Sequence, residues 1–242
     1  MLERIAQSGA SSALQRRLPP LLPSHTPLPL QRYLLAAFGA PLRAMLSAPG
    51  AILLDACCGD GAASLPLVAA FPALSLVAVD HASKCLELVQ RHEEWAEARC
   101  TAVEADVSTD AAARALRGVG AAACLLVFGL SAMRAARWPA ALRACAAGLR
   151  EGGAVFVRDF AVADDTMLRG RHTKLAAGEY ARADGTLVTY LLRESLAAAA
   201  GEAGLTVAWS AYHCVLQKNR KTGVQQRKMF VMARLTKSCG SG

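Results

Sequence analysis

Three short apolar runs, each ending in a carboxylate and each followed by a helix-like segment, restrict this chain to an open α/β sheet. The first is Ala51-Ile-Leu-Leu-Asp55, which leads into a small-residue turn, Cys57-Cys-Gly-Asp-Gly61. The second, Leu76-Val-Ala-Val-Asp80, places its acid 25 residues after Asp55; the third, Thr101-Ala-Val-Glu-Ala-Asp106, places its acid 26 residues later. Strands buried on both faces read as continuous apolar runs. Ligands of such sheets sit beyond the carboxyl ends of the strands. The acids therefore mark one edge of the sheet as a binding edge.

The rest of the chain keeps the same rhythm as far as residue 159. Strands are expected at 51–56, 74–80, 100–105, 122–128 and 154–159, with helices at 62–70, 83–95, 109–117 and 138–149. Ser83 is the expected N-cap of the second of these helices. Strand–helix alternation of this kind specifies a doubly wound, Rossmann-like, mostly parallel sheet with helices on both faces. Before it, Leu30, Leu34, Leu35, Phe38, Leu42 and Met45 recur at helical spacing, and this helix is expected to cover the first strand's edge. After Asp159 the rhythm breaks. Residues 160–192 are mixed and polar, with a turn at Ala183-Asp-Gly-Thr186, and read as an inserted hairpin or lid on the substrate side. A helix at 193–203 and strands near 205–216 and 228–235 complete a seven-stranded sheet with an antiparallel edge hairpin. The domain is expected to span 27–237, with 238–242 as a tail.

Charge divides the chain into three parts. Of the net charge of +8, residues 1–50 contribute +4, residues 51–205 contribute −3, and residues 206–242 carry seven basic groups and no acid. Basic ends on a near-neutral core suit either a polyanion partner or plain solubility. Residues 1–26, rich in Ser, Arg, Ala and Pro, resemble a transit peptide in composition, although a disordered leader reads the same way. A cytoplasmic address and a mitochondrial or plastid one both stay open. No apolar run reaches the ~18 residues of a membrane span. The eight cysteines contain no CxxC pair, so no metal site is expected and the compartment reads as reducing.

The turn at 57–61 decides between two nucleoside cofactors. A dinucleotide site needs a third glycine, where Ser64 stands, and an aspartate in the turn would repel a pyrophosphate. S-adenosyl-L-methionine has no phosphate and carries two cationic groups. Asp55 would anchor its charged methionyl end, directly or through the turn. Asp80, with His81 beside it, would accept the ribose hydroxyls, because a carboxylate offers two oxygens to a diol. Asp106 and the Val107 backbone N–H would meet the adenine. Gly59 and Gly61 would let the backbone approach the cofactor closely. Cys57 and Phe128 complete the expected cofactor wall.

The second half carries a more specific pattern. Val127-Phe-Gly-Leu-Ser-Ala132, Val155-Phe-Val-Arg-Asp-Phe160 followed by Asp164 and Met167-Leu-Arg169, Tyr180-Ala-Arg-Ala-Asp-Gly-Thr186, and Gln217-Lys-Asn-Arg220 ahead of Met229-Phe230 together resemble the eukaryotic tRNA N3-methylcytidine methyltransferases, a class I S-adenosylmethionine-dependent family. The resemblance covers about residues 50–235. It implies tRNA as partner, an anticodon-loop cytidine as target, and leaves open a helper such as an aminoacyl-tRNA synthetase or another tRNA-presenting protein. Departures are Cys57 for the first glycine of the turn, Phe160 for tyrosine, Ala161 for glycine and Leu187 for arginine; residues 1–50 do not match the family's N-terminal region.

Cytidine N3 has an in-plane lone pair and no proton, so its methylation needs in-line approach and tolerance of a cationic product more than a base. Asp159 is the first candidate for a carboxylate beside the base, and Asp164 the second. Arg158 reads as structural or phosphate-facing. Phe128 and Phe160 would wall the pocket or stack on an extruded base. Tyr180, Asn219 and Arg220 are further substrate-side candidates. Arg169, Arg171, Lys174 and Arg182 in the insert, and Arg220, Lys221, Arg227 and Lys228 near the end, are candidates for phosphates. A same-fold enzyme acting on a protein or small molecule, or a weakly catalytic RNA- or partner-binding subunit, are the competing readings.

Overall fold

A computed structural model describes residues 30–170, 172–218, 223 and 225–237, with side chains from Leu34 onward. Its main sheet has the order β3-β2-β1-β4-β5-β10-β9. The parallel strands are β1 (Ile52–Ala56), β2 (Ser75–Asp80), β3 (Cys100–Glu104), β4 (Ala121–Val127) and β5 (Leu149–Phe160). β9 (Leu205–Lys218) and β10 (Gln225–Lys237) form the antiparallel edge, β10 pairing with β5 and β9 with β10. The expected doubly wound sheet is thus present, and its strand order reverses between β1 and β4, where open α/β sheets hold their ligands.

Among the described residues, three helices lie on each face. On one, α1 (Leu30–Leu46), α2 (Leu65–Ala70) and α3 (Ser83–Gln90) bury Leu34, Leu42, Leu67 and Val89 against Leu53, Leu125 and Phe156. On the other, α4 (Asp110–Leu116), α5 (Trp138–Gly148) and α7 (Arg193–Glu202) bury Leu116, Leu142 and Leu196 against Leu54, Leu126 and Val157. A helix can shield only one stripe, so a sheet buried on both faces needs both layers.

Four local expectations change. β1 is central, paired on both sides, so α1 covers no edge; it packs over β4, with Phe38 edge-on to Phe156 at 5.1 Å. α1 is also broken at Gly39 (φ 57°, ψ −139°), ahead of Pro41, whose ring and missing N–H oppose a continuous helix. α2 begins three residues later than expected, because Ser64 and Leu65 donate back to the Gly61 carbonyl to close the turn first. Ser83 is not the cap of α3: Ala82 holds that place, and its N–H is satisfied by Asp80 Oδ1 at 3.0 Å.

The insert is a separate three-stranded antiparallel sheet, β6 (Thr173–Ala176), β7 (Glu179–Ala181) and β8 (Leu187–Thr189), preceded by the one-turn α6 (Asp165–Leu168). The expected turn joins β7 to β8, with Gly185 at φ 81° and Asp184 capping Thr186. The expected run Leu187–Leu192 splits: Leu191 leaves the small sheet and bridges Ala161 beside β5, which ties the insert to the main sheet.

Candidate active site

The carboxyl ends of β1, β2 and the loop after β3 bring the three acids onto one edge. Asp55 is 1% exposed, and its Oδ2 has no hydrogen-bond partner. Burial pushes its carboxyl up to about 7; the Ser64 hydroxyl opposes the rise without reaching hydrogen-bond geometry, and the charges of Asp80 and Asp60 add to it. A buried acid with an orphaned oxygen carries a cost that a cation would relieve.

Asp80 braces the turn: its Oδ2 accepts from Gly59 N at 2.9 Å and its Oδ1 from Ala82 N at 3.0 Å, with His81 Nδ1 3.4 Å from Oδ1. Each oxygen keeps a lone pair for a ligand hydroxyl. Asp106 lies in a turn of its own, accepting from Ser108 N and Oγ (2.9 and 2.7 Å) and from Arg137 Nη1 at 3.4 Å. Slight burial works against its charge, but Ser108 and Arg137 outweigh that and hold the carboxyl below its ordinary value. Val107 points its side chain into the core, 3% exposed, so only its backbone can serve a ligand.

The two turn glycines have different roles. At Gly59 (φ 55°) a Cβ would meet nothing within 4 Å, so its backbone borders open space beside Asp80. At Gly61 (φ 78°) a Cβ would fall 2.5 Å from Val89 Cγ2 and 2.7 Å from Leu65 Cδ1. Gly61 therefore serves the packing of α2 and α3, beside any contact its backbone makes with a cofactor.

Three non-glycine residues hold left-handed backbone at this edge: Cys57 (φ 63°), Phe128 (φ 58°) and Ala163 (φ 66°). Each such residue costs about 1–2 kcal/mol, and such strain gathers where surrounding structure over-determines it. Cys57 stays in the left-handed bend that the family's glycine would take, and the chain accommodates it with Gly129: a Cβ there would lie 2.9 Å from Cys57 Sγ and 2.8 Å from Leu126 Cδ1. This contact also seats Phe128, at the end of β4, next to the turn.

Around Phe128 an aromatic cluster forms from five strands or their ends. Phe128, Phe160 and Phe230 have ring centroids 4.9, 5.9 and 5.8 Å apart, and Tyr190 and Tyr180 extend the row at 6.4 and 5.7 Å. Arg158, 6% exposed, lays its guanidinium 3.7 Å from the Phe230 centroid and 5.0 Å from that of Phe128. Arg182 stands 6.0 Å from the Phe160 ring. Guanidinium over an aromatic face is attractive and is strengthened by burial.

Both carboxylates expected to act on substrate are buried, in or just after the β5 end that supplies Phe160. Asp159 is 0% exposed; its Oδ2 accepts from Ser131 N at 2.9 Å and its Oδ1 from Phe160 N at 2.8 Å. Burial raises its carboxyl to about 6 against the pull of those donors. Asp164, 1% exposed, caps α6 through Thr166 N (2.7 Å) and accepts from Met229 N at 3.1 Å, with Lys228 Nζ at 3.5 Å. Saturated by backbone amides, the two acids position the loop after β4 and the start of the insert. Arg169 and Arg227 pair with Asp165 at 3.8 and 3.4 Å, so with Lys228 they tie α6 to β10, whereas the sequence expectation had them at phosphates. Asn219 and Arg220, with Arg171 and Lys221, lie outside the described residues.

Sequence reasoning missed the clamp that holds the insert. Glu179, 7% exposed, accepts from Arg134 Nη1 at 2.9 Å and from Ala135 N at 3.1 Å; Thr189 Oγ1 donates to Met133 O at 2.9 Å. Arg137, in the same loop, reaches Asp106 and Ser108. The loop 128–137 therefore links the Asp106 turn, the end of β5 and the insert. Contacts 44–56 residues apart leave no local pattern, so no periodicity or motif announces them.

Comparison with known proteins agrees with this geometry. Residues 53–153 match a family model described as a methyltransferase domain. The tRNA N(3)-cytidine methyltransferase METTL2 of Xenopus tropicalis is 26% identical over 188 residues, covering 76% of this chain and 56% of that one. The tRNA N(3)-methylcytidine methyltransferase Mettl2 of Drosophila melanogaster is 26% identical over 205 residues, covering 81% and 63%. O-methyltransferase 3 of Dictyostelium discoideum is 25% identical over 189 residues, covering 76% and 43%. The chain thus spans 43–63% of the length of these relatives. Among solved structures, a SAM-dependent methyltransferase from Anabaena variabilis superposes with a TM-score of 0.65 at 15% identity, covering 86% of this chain and 85% of that one. The 1,6-didemethyltoxoflavin-N1-methyltransferase of Burkholderia thailandensis, solved with S-adenosylhomocysteine, superposes with a TM-score of 0.51 at 22% identity, covering 86% and 77%. Residues 53–153 thus match the methyltransferase-domain model, the sheet order and acid-tipped edge agree with the fold of the S-adenosylmethionine-dependent methyltransferases on which the chain superposes, and the relatives it resembles include tRNA N3-methylcytidine enzymes.

Proposed function

We propose that this protein methylates N3 of a cytidine in the anticodon loop of a tRNA. The observation that carries the reading is the aromatic cluster of Phe128, Phe160, Phe230, Tyr180 and Tyr190, bordered by Arg158 and Arg182 and set beside the Cys57–Gly61 turn. An RNA base reaches an enzyme by leaving its stack, and it is then read by stacking on aromatic and guanidinium planes. The segments supplying this cluster are those that resemble the tRNA enzymes, and two of the relatives bear that activity in their names.

S-adenosylmethionine, when bound, supplies an electrophilic methyl group on a sulfonium. The edge fits it: Asp55 offers an orphaned buried oxygen to a cation, Asp80 offers two oxygens to a diol, and Gly59 leaves room for close approach. The N3 lone pair attacks without losing a proton, so the burial of Asp159 and Asp164 away from the surface does not disable the reaction. Their role is to position: Asp159 fixes Ser131 and thus the Phe128 loop, and Asp164 fixes Met229, next to Phe230. Aromatic faces accommodate the positive charge that develops on the pyrimidine.

The O-methyltransferase among the relatives and the partial coverage of every relative support a second reading, a small-molecule or protein substrate. Nucleoside mass spectrometry of tRNA from cells lacking the protein separates the two. A fall in 3-methylcytidine supports the tRNA reading, and an unchanged level counts against it.

A further inference from the structure

On the face of the sheet covered by α1, a groove of about 340 Å³ opens between that helix and the antiparallel edge, lined by Ala37, Phe38, Phe156, Ala208, Trp209 and Arg234. It is separate from the cofactor edge. A bulge shapes it: Trp209 opposes Arg234 while Val207 opposes Leu235, so Ala208 is the extra residue and the strand re-aims Trp209. The indole is 43% exposed and stands edge-on to Phe38 at 6.3 Å. An exposed indole on an edge strand is costly unless something covers it.

We propose that this groove is a stacking site for an unpaired nucleotide of the RNA substrate, next to the one that is methylated. Its walls are apolar and aromatic, which suits a flat ring. Among the described residues its one polar side chain is Arg234, and no carboxylate among them pairs with that guanidinium. The occupant therefore carries acceptors or negative charge. Residues 206–242 contain seven basic groups and no acid, so the whole edge hairpin favours a polyanion. A base with its phosphate answers each requirement, as in single-strand binding sites that combine aromatic platforms with a basic groove. The register places it well: Arg234 pairs with Phe156, which precedes Phe160 by four residues on the same face, or about 13 Å at strand rise.

This inference rests on the RNA-substrate reading, and the test separates the two. The chain has three tryptophans: Trp138 is 3% exposed with its Nε1 bonded to Leu130 O, and Trp95 is half-buried, so the quenching assigned to Trp209 is the part that disappears in W209F. A synthetic anticodon stem-loop RNA is titrated into the full chain and into W209A, W209F and R234Q, with circular dichroism checking the fold and S-adenosylhomocysteine affinity as the control. Expected are quenching in the wild type, a loss of RNA affinity of roughly 5- to 100-fold in W209A, near-retention in W209F, and a salt slope about 0.7 shallower in R234Q, all with unchanged S-adenosylhomocysteine affinity. RNA binding by the wild type with no change in any variant overturns this inference and leaves the tRNA reading standing. A wild type that binds no RNA overturns both. A concentration-dependent dimer lost in W209A, or quenching by an acidic aromatic peptide with none by RNA, assigns the groove to another occupant and overturns it too.

Discussion

Binding of the cofactor should release a proton from Asp55. Burial lifts this carboxyl from 3.8 to about 7. Because the folded-state value is the raised one, the protonated acid favours folding; that contribution is complete below pH 3.8 and is lost as pH rises through about 7, an effect on the order of 4 kcal/mol. A ligand cation beside Asp55 reverses the preference, since it stabilises the anion. Affinity for S-adenosylhomocysteine, whose ammonium keeps its charge below pH 8, should then rise about tenfold between pH 6 and pH 8, with about half a proton released per ligand at pH 7. Calorimetry in buffers of different ionisation enthalpy reads both quantities. D55N should remove the pH dependence and weaken binding at pH 8 by about 10- to 100-fold, the range for a lost hydrogen bond to a charged group. Affinity that is flat or falls over this range in the wild type, or the same slope in D55N, would refute the reasoning.

Other consequences follow from the packing. G129A should lose about 1–3 kcal/mol in urea denaturation, because its Cβ meets Cys57 and Leu126, and C57G in the same chain should restore part of that loss; strict additivity would contradict the paired contact. G61A should destabilise the fold through Val89 and Leu65 on top of its left-handed backbone. G59A should cost only about 1–2 kcal/mol of strain but weaken S-adenosylhomocysteine binding, and equal effects at the two sites would be wrong for this turn. E179Q should cost about 1.5–3 kcal/mol of local stability, seen as faster proteolysis within 173–189 and slower methyl transfer at unchanged S-adenosylhomocysteine affinity.

The sheet was legible because its central strands β1, β2 and β4 are largely buried on both faces, and that burial forces continuous apolar runs such as those ending at Asp55 and Asp80; the edge strand β3, half-exposed, gave the weaker run ahead of Asp106. The turn glycines were legible as a pair, but not in their separate duties, since only the packed helices show that Gly61 meets Val89 while Gly59 meets nothing. Asp159 and Asp164 read as catalytic because an acid after an apolar strand is the same signal whether it faces a ligand or a backbone amide. Which one it faces depends on the element packed against it, the loop at Ser131 in one case and β10 at Met229 in the other. Basic residues carry the same ambiguity: Arg169 and Arg227 have the composition of a polyanion site, and both also pair with Asp165, distant from Arg227 in sequence. The Glu179 clamp and the Trp209 bulge left no pattern at all, because one joins elements far apart and the other depends on a single extra residue in a strand pairing.

The account is tested most directly by incubating the purified full chain with tRNA and S-adenosylmethionine bearing a deuterated methyl group, then digesting the RNA and locating the label by nucleoside mass spectrometry. It predicts labelled 3-methylcytidine, strongly reduced when Asp80 is replaced by alanine. Label on another nucleoside, or label transferred to a small hydroxylated acceptor while tRNA stays unlabelled, would contradict it.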